Sequence, residues 1–303
     1  MPDMDIRPYT HADLPVMLDF VGRCNAAYPV GDTAHPGDIA HHLSNALRGA
    51  DPGPYLLVAT RGSEVVGLIQ FYPHKGEIEM LMHPALRGGD DERALLRVAV
   101  AARDRLMQSL GKTAPAVIDL FSGDVYRGAL LAEFGFVPDP APRMAVTMRD
   151  LAAPNPAPAL PDGFSIRSAA GVHEAGLLAA VHSAAFGSNW TPEKYRLVME
   201  TPGFVIDHER VVVAPDGTFA AFLVYWLDSI SKIGLFEPVG CAEAYQRRGL
   251  VKALMYDTLE LMRTAGMTRA CVKHELDNPA STAAYASVGF VRVADYTTWT
   301  LPA

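Results

Sequence analysis

Cysteine is scarce in this chain: the three present, Cys24, Cys241 and Cys271, are spaced too widely for a disulfide framework or a zinc site. Long apolar runs are missing as well, none approaching the ~20 residues that span a bilayer. The opening residues, Met1-Pro-Asp-Met-Asp-Ile-Arg7, lack the apolar core of a secretory signal. Nor is there a basic excess. The 26 Lys and Arg face 34 Asp and Glu, a formal net charge of −8, which argues against general affinity for nucleic acid. His182, His208 and His274 stand singly, without partners at metal-ligand spacing, so no metal is expected. Together these absences point to a reduced, cytoplasmic protein without membrane or nucleic-acid partners, as a monomer or homodimer.

What is present is a well-mixed, half-hydrophobic chain of 303 residues, long enough for two ordinary domains each with its own core. Near the start, Ile6-Arg-Pro-Tyr-Thr-His-Ala-Asp13 reads as a short strand entering a helix. A Gly/Pro-rich loop follows at residues 28–32, then a second helix around 39–47. Residues 55–59 and 65–71 flank Arg61-Gly-Ser63 as a hairpin. Strands are expected at 77–82 and 116–121, and helices at 94–110 and 126–134.

Residues 150–161 are rich in Ala and Pro, with Pro154, Pro156, Pro158 and Pro161 at short intervals. Such a composition holds neither helix nor interior strand and favours a semi-rigid spacer. It divides the chain into residues 1–150, a linker over 151–163, and residues 164–303. After the linker the pattern restarts. Phe164-Ser-Ile-Arg167 mirrors Ile6-Arg7, and residues 210–214 and 219–226 flank another hairpin at Pro215-Asp-Gly217. Leu130-Leu-Ala-Glu-Phe-Gly-Phe136 repeats the shape of Ala284-Tyr-Ala-Ser-Val-Gly-Phe290. A repeat half the chain long signals two copies of one domain.

The most informative stretch begins at Phe236-Glu-Pro-Val-Gly-Cys241, turns through Gln246-Arg-Arg-Gly249, and continues as a helix with an apolar face of Val251, Leu254, Met255, Thr258, Leu259 and Met262. A strand feeding a tight turn at a helix N-terminus is a device for holding phosphate, because the first helical N–H groups have no partner in the helix. The turn resembles the acyl-CoA pyrophosphate loop, Q/R-x-x-G-x-G/A, of the GNAT superfamily of N-acetyltransferases, with Val251 departing from its last position. Further on, Asn278-Pro-Ala-Ser281 through Tyr285 to Gly289-Phe290 resembles the family's N-x-x-A-x-x-x-Y-x-x-x-G-F segment. The resemblance implies an α/β fold of two tandem GNAT-like domains, each a mixed, mostly antiparallel sheet flanked by helices.

It also implies site residues. Backbone groups of Val239, Gly240 and Cys241 would pair with the pantetheine. Gln246, Arg247, Arg248, Gly249, Leu250 and Val251 would receive the diphosphate, with Val251 crowding it. Asn278 and Ser281 would lie along the pantetheine, and Tyr285 would protonate the departing thiolate. Asn278 reads equally well as a helix cap, and Tyr285 as a packed tyrosine on an amphipathic helix. Cys241 invites an acyl-enzyme role, yet no His or Asp partner is evident and a small packing thiol is the simpler reading. Glu237, on the same strand, is the candidate general base, since burial in a cleft raises a carboxylate's pKa; its alternative is a surface carboxylate.

The two copies differ chemically. Where the second has its phosphate turn, the first has Arg87-Gly-Gly-Asp90-Asp-Glu92, whose carboxylates repel a diphosphate. Leu131 stands in place of Tyr285 and Asp124 in place of Asn278. The expectation is an acetyl-CoA-dependent N-acetyltransferase that acts on a small-molecule or peptide amine through its second half, with a degenerate first half. Two alternatives remain open: a non-catalytic acyl-CoA-binding regulatory module, and an aminoacyl transferase using charged tRNA, against which the acidic balance counts.

Overall fold

The structure, a computed structural model, describes residues 4–28, 34–47 and 49–302. Apart from Tyr28, the Gly/Pro-rich loop expected at 28–32 lies outside the described residues. The first half carries β1 (Asp5–Pro8), α1 (Leu14–Ala27), α2 (Pro36–His41), β2 (Leu56–Arg61), β3 (Glu64–Tyr72), β4 (Glu77–Met82), α3 (Asp90–Ser109), β5 (Ala116–Phe121), α4 (Val125–Glu133), the two-residue β6 (Val137–Pro138) and β7 (Met144–Asp150). The second half follows the same plan: β8 (Ser165–Ser168), α5 (Ala175–Phe186), α6 (Pro192–Met199), β9 (Glu209–Val213), β10 (Phe219–Asp228), β11 (Ile233–Cys241), α7 (Leu250–Thr264), β12 (Arg269–Glu275), α8 (Pro279–Ser287) and β13 (Val291–Leu301). Among the described residues no helix is long and apolar enough to cross a membrane.

The expected fold class is what the structure shows, a mixed and mostly antiparallel sheet flanked by helices. All thirteen strands belong to one sheet, ordered β1-β2-β3-β4-β5-β13-β7-β12-β11-β10-β9-β8, with β6 paired to β13 at the side. The order at the centre is a reciprocal exchange. The last strand of the first half, β7, lies against β12 of the second half, from Arg269↔Asp150 to Glu275↔Met144. In return β13, the last strand of the second half, lies against β5 of the first, from Tyr296↔Phe121 to Leu301↔Ala116. The two exchanged strands pair with each other in the middle.

Each half has its own apolar core. In the second, the α7 stripe of Leu254, Met255, Leu259 and Met262 packs on Ala221, Leu223, Phe236 and Val272. In the first, Leu95, Leu96 and Ala99 of α3 pack on Ile69, Phe71, Ile78 and Ile118. A third cluster joins them across the exchanged strands: Val146 and Met148 of β7, Ala294 of β13, Leu235 and Cys271, and Ala40 of α2 against Trp226. Residues 152–164 form neither helix nor strand, and Asn155 fastens this segment to α7 through Glu260, with N and Nδ2 each donating to Oε2 at 3.2 Å.

Candidate active site

Strands β11 and β12 run parallel but pair over only three registers, ending at Leu235↔Cys271, and then separate. Beyond that point β11 remains paired on its other edge with β10, through Val239↔Leu223, Gly240↔Phe222 and Cys241↔Ala221. Among the described residues its edge toward β12 has no strand partner from Phe236 onward, which is the opening an extended ligand needs to add itself as a strand. Burial pushes the Cys241 thiol up to about 11, so the nucleophilic thiolate is scarce at neutral pH.

The strand leads to the turn at Gln246–Gly249. Arg247 (φ 61°) and Gly249 (φ 80°) both adopt left-handed backbone, a conformation that glycine enters without strain. Gly249 is the N-cap of α7, and a Cβ added there would meet nothing within 4 Å. The space in front of the first helical N–H groups is therefore open, and the turn fits a diphosphate. Leu250 is buried and Val251 half-buried against the core of the second half, so these two residues anchor the helix start. Gln246, Arg247 and Arg248 are exposed around the turn. Arg248 lies over the Tyr245 ring, 5.3 Å from its centre, and donates to the Ala244 carbonyl at 3.1 Å.

The corresponding turn of the first half is filled by the protein itself. The Gly88 N–H donates to Glu92 Oε2 at 2.6 Å, and the other Glu92 oxygen accepts from Arg127 Nε at 2.9 Å. Glu92 is fully buried. Asp124 pairs with Arg87 and caps α4 by accepting the Arg127 N–H at 3.0 Å. Two carboxylates and two guanidiniums thus occupy the place where the second half leaves room for an anion. Leu131, counterpart of Tyr285, is buried in the core.

On the opposite side of the splay, Asn278 caps α8, its Oδ1 accepting the Ser281 N–H at 3.1 Å, while Ser281 Oγ donates to the Asn278 carbonyl at 2.9 Å. The cap reading is realised, and the exposed Asn278 amide stays accessible. Tyr285 is buried against Phe290 and His274, with ring centres 5.9 and 5.4 Å away. Burial, reinforced by the Glu237 carboxylate, raises its phenol well above the ordinary tyrosine range and keeps it protonated.

Glu237 lines a cavity of about 660 Å³. The walls come from both halves: Asp38, His41, Tyr72, Glu77 and Glu79 from the first, Glu237, Lys273 and Tyr296 from the second. The floor is the exchanged-strand region. Trp226 Nε1 donates to the Glu237 carbonyl at 2.7 Å and fixes the backbone there. The carboxylate keeps about a third of its surface open to the cavity (32%), yet dense surrounding protein and the nearby Asp38 raise its pKa to about 7. Glu79, hydrogen-bonded to Gln70 at 2.8 Å, is likewise raised to about 7, chiefly by burial. Lys273 pairs with Asp38 at 2.9 Å, which keeps the ammonium charged despite its burial.

Residues 177–290 match the sequence profile of the Acetyltransferase (GNAT) family. The chain is 27% identical over 254 residues to "Mycothiol acetyltransferase" of Renibacterium salmoninarum, covering 79% of this chain and 71% of that one. A protein of the same name from Jonesia denitrificans is 28% identical over 186 residues, 57% of this chain and 58% of that one. In overall shape the chain is similar to a tandem GNAT protein from the clavulanic acid biosynthesis pathway, with TM-score 0.64, 18% identity, and 98% of each chain covered. It is equally similar to a GCN5-related N-acetyltransferase from Sphaerobacter thermophilus, with TM-score 0.63, 16% identity, and 99% of this chain and 96% of that one covered. Residues 177–290 thus carry the GNAT profile, and the chain as a whole has the fold of tandem GNAT proteins.

In arrangement the chain is similar to mycothiol synthase. Sequence reasoning singled out Glu237 but not the residues around it, because Asp38, His41, Glu77, Glu79 and Lys273 match no motif and come together only through the exchange. The one available signal was the segment His35-Pro-Gly-Asp38-Ile-Ala-His41-His42, unusually dense in titratable residues.

Proposed function

We propose that residues 164–303 form the catalytic domain, that they transfer an acetyl group from acetyl-CoA directly to a primary amine, and that residues 1–150 wall the acceptor site. The observation that carries this reading is the position of Glu237. It stands on the splayed strand that ends in the open Gly249 turn, and its carboxylate faces a cavity shared by both halves. Val239, Gly240, Cys241, Asn278 and Ser281 would line the pantetheine arm, and Gln246 through Val251 the diphosphate.

An amine reaches the site as an ammonium. A carboxylate with a pKa near 7 is matched to removing its proton at neutral pH. The nitrogen then attacks the thioester carbonyl, the C–N bond forms, the C–S bond breaks, and the sulfur takes a proton from Tyr285, whose phenol is restored by the second proton leaving the nitrogen. The phenol, held protonated by burial, starts in the state a general acid requires. Lining carboxylates at Asp38, Glu77 and Glu79 suit an acceptor that arrives positively charged. The name of the two relatives, mycothiol acetyltransferase, supports trying small-molecule amines first.

The test is thiol release from acetyl-CoA across a panel of primary amines, including the acceptor of the mycothiol acetyltransferases, glucosamine, spermidine and a Lys-containing peptide. Turnover with at least one amine that is lost in Glu237→Gln and in Gly249→Glu is expected. Turnover that survives Gly249→Glu would move the chemistry away from the second half.

A further inference from the structure

Helix α2 belongs to the first half of the chain but packs on β10 and β11 of the second. Three contacts fasten it there. Gly37 lies so close to Trp226 that an added Cβ would fall 2.3 Å from Cγ of the indole. His35 accepts the Gly37 N–H at Nδ1 (2.9 Å), which leaves Nε2 to donate to the Ile233 carbonyl at 2.9 Å. Asp38 accepts the His35 N–H at 2.6 Å and pairs with Lys273 at 2.9 Å. One indole therefore seats α2 with its ring and holds the Glu237 carbonyl with its N–H.

The last turn of this clamped helix presents His41 to the cavity, with Nε2 3.8 Å from Glu237 Oε1. We infer that His41 is a positioning residue for Glu237: its neutral imidazole orients the carboxylate toward the acceptor amine, so that the reaction centre is assembled from both halves. This inference rests on the general-base reading of Glu237.

The proton balance defines what Glu237 must do. Conversion of R–NH3+ to the amide removes two protons from nitrogen while only one is needed on sulfur. One must leave the site, and Glu237 must be emptied before it serves again. The ammonium proton passes to Glu237 Oε1 and from there to solvent through the cavity, while His41 stays a neutral neighbour that holds the carboxylate in place. Burial, assisted by His182 on α5 and opposed by Asp38 one turn earlier on α2, lowers the imidazole's pKa to about 4 and keeps it neutral. The other charged and titratable groups lining the cavity are Glu237 on β11, Lys273 on β12, Tyr296 on β13, Asp119 on β5, Tyr72 on β3, His74 and Lys75 in the turn after it, and Glu77 and Glu79 on β4. A contact of 3.8 Å is longer than a hydrogen bond, as contacts in active sites commonly are before substrate binds.

The first measurement needs no substrate. In the full-length protein, the His41 ring signals followed by NMR across pH 5–9 should step with the Glu237 titration, and that step should vanish in Glu237→Gln. The second uses acetyl-CoA with whichever amine of the panel turns over. His41→Gln and His41→Asn should each lower kcat about tenfold or more and displace the acidic limb of the kcat/KM profile. Acetyl-CoA affinity and melting temperature should stay near the parent's. In a Glu237→Gln background, His41→Gln should add less than about twofold, the non-additivity expected of two groups acting as a unit. His41 signals indifferent to Glu237, an unmoved pH profile, or fully multiplicative losses would overturn the inference while leaving Glu237 as the base. Full activity of Glu237→Gln would instead remove the general-base reading, and this inference with it.

Discussion

Glu92 and Arg127 form a buried ion pair in the first half, with Arg127 Nε 2.9 Å from Glu92 Oε1. Glu92 also takes the Gly88 N–H that opens the degenerate turn. The pair stands where its counterpart in the second half leaves an empty cradle. Removing one partner of a buried pair strands the other charge, so Arg127→Met should destabilise the chain by about 3–5 kcal/mol. Urea denaturation followed by tryptophan fluorescence reads this directly, and a loss below 1 kcal/mol would show the pair to be dispensable.

Cofactor stoichiometry follows from the same contrast. Calorimetry should return one acetyl-CoA per chain, and Gly249→Glu should abolish it by placing a carboxylate in the open space before α7. Glu92→Gln should not create a second site, because Arg127, Asp124 and Arg87 still fill the first turn. Two comparable sites in the unmodified protein would contradict this.

Tyr285→Phe should lower kcat about tenfold or more while leaving acetyl-CoA affinity nearly unchanged, since only the hydroxyl proposed as general acid is removed. The buried ring keeps its packing on Phe290 and His274. Single-turnover kinetics are the measurement to make. An unchanged chemical step would leave Tyr285 a packing residue.

Two pH dependences arise from Glu237, with opposite signs. The proposed general-base role needs the ionised carboxylate, so kcat/KM should rise with pH through about 7, the value to which burial has brought it. Stability runs the other way. The folded-state pKa lies above the ordinary 4.5, so the stabilising preference for the protonated form is complete below about 4.5 and is lost as pH rises through 7. Glu237→Gln should therefore raise Tm relative to the parent at pH 8 and make little difference at pH 4. An equal Tm difference at both pH values would show that the carboxylate is not held in a costly environment.

The C-terminal segment from residue 161 to 303, expressed alone, should be insoluble or inactive. It lacks β7, the strand between β12 and β13, and would expose both of their edges. A stable monomeric fragment with full acetyl transfer would show that β12 and β13 can close on each other.

Local chemistry made much of this legible. The Gln246–Gly249 turn, the α7 stripe and the Asn278 cap are set by residues within a few positions of one another, and each has the local structure expected of it. The pairing partners of residues 144–150 and 291–301 were not legible. Alternating apolar residues mark a strand but not its neighbour, and here each neighbour comes from the other half. Asp38 and Lys273 illustrate the limit: they form an ion pair across 235 positions of sequence, and neither belongs to a recognisable motif. Proline spacing correctly withholds regular structure from 152–164, but it carries no information about strands crossing on either side.

The exchanged strands also set a timetable for synthesis. When residue 150 has left the ribosome, β7 has neither of its neighbours and the outer edge of β5 is bare. Both wait for residues 269–301, made after the rest of the second half's sheet. Domains translated in tandem ordinarily fold one after the other; here the earlier one cannot be finished before the later. A stop at codon 291 would take β13 from the first half as surely as from the second. Chains arrested at residue 290 should accordingly leave β5 open to protease, and the eleven residues of β13 act as the closing piece for the whole molecule.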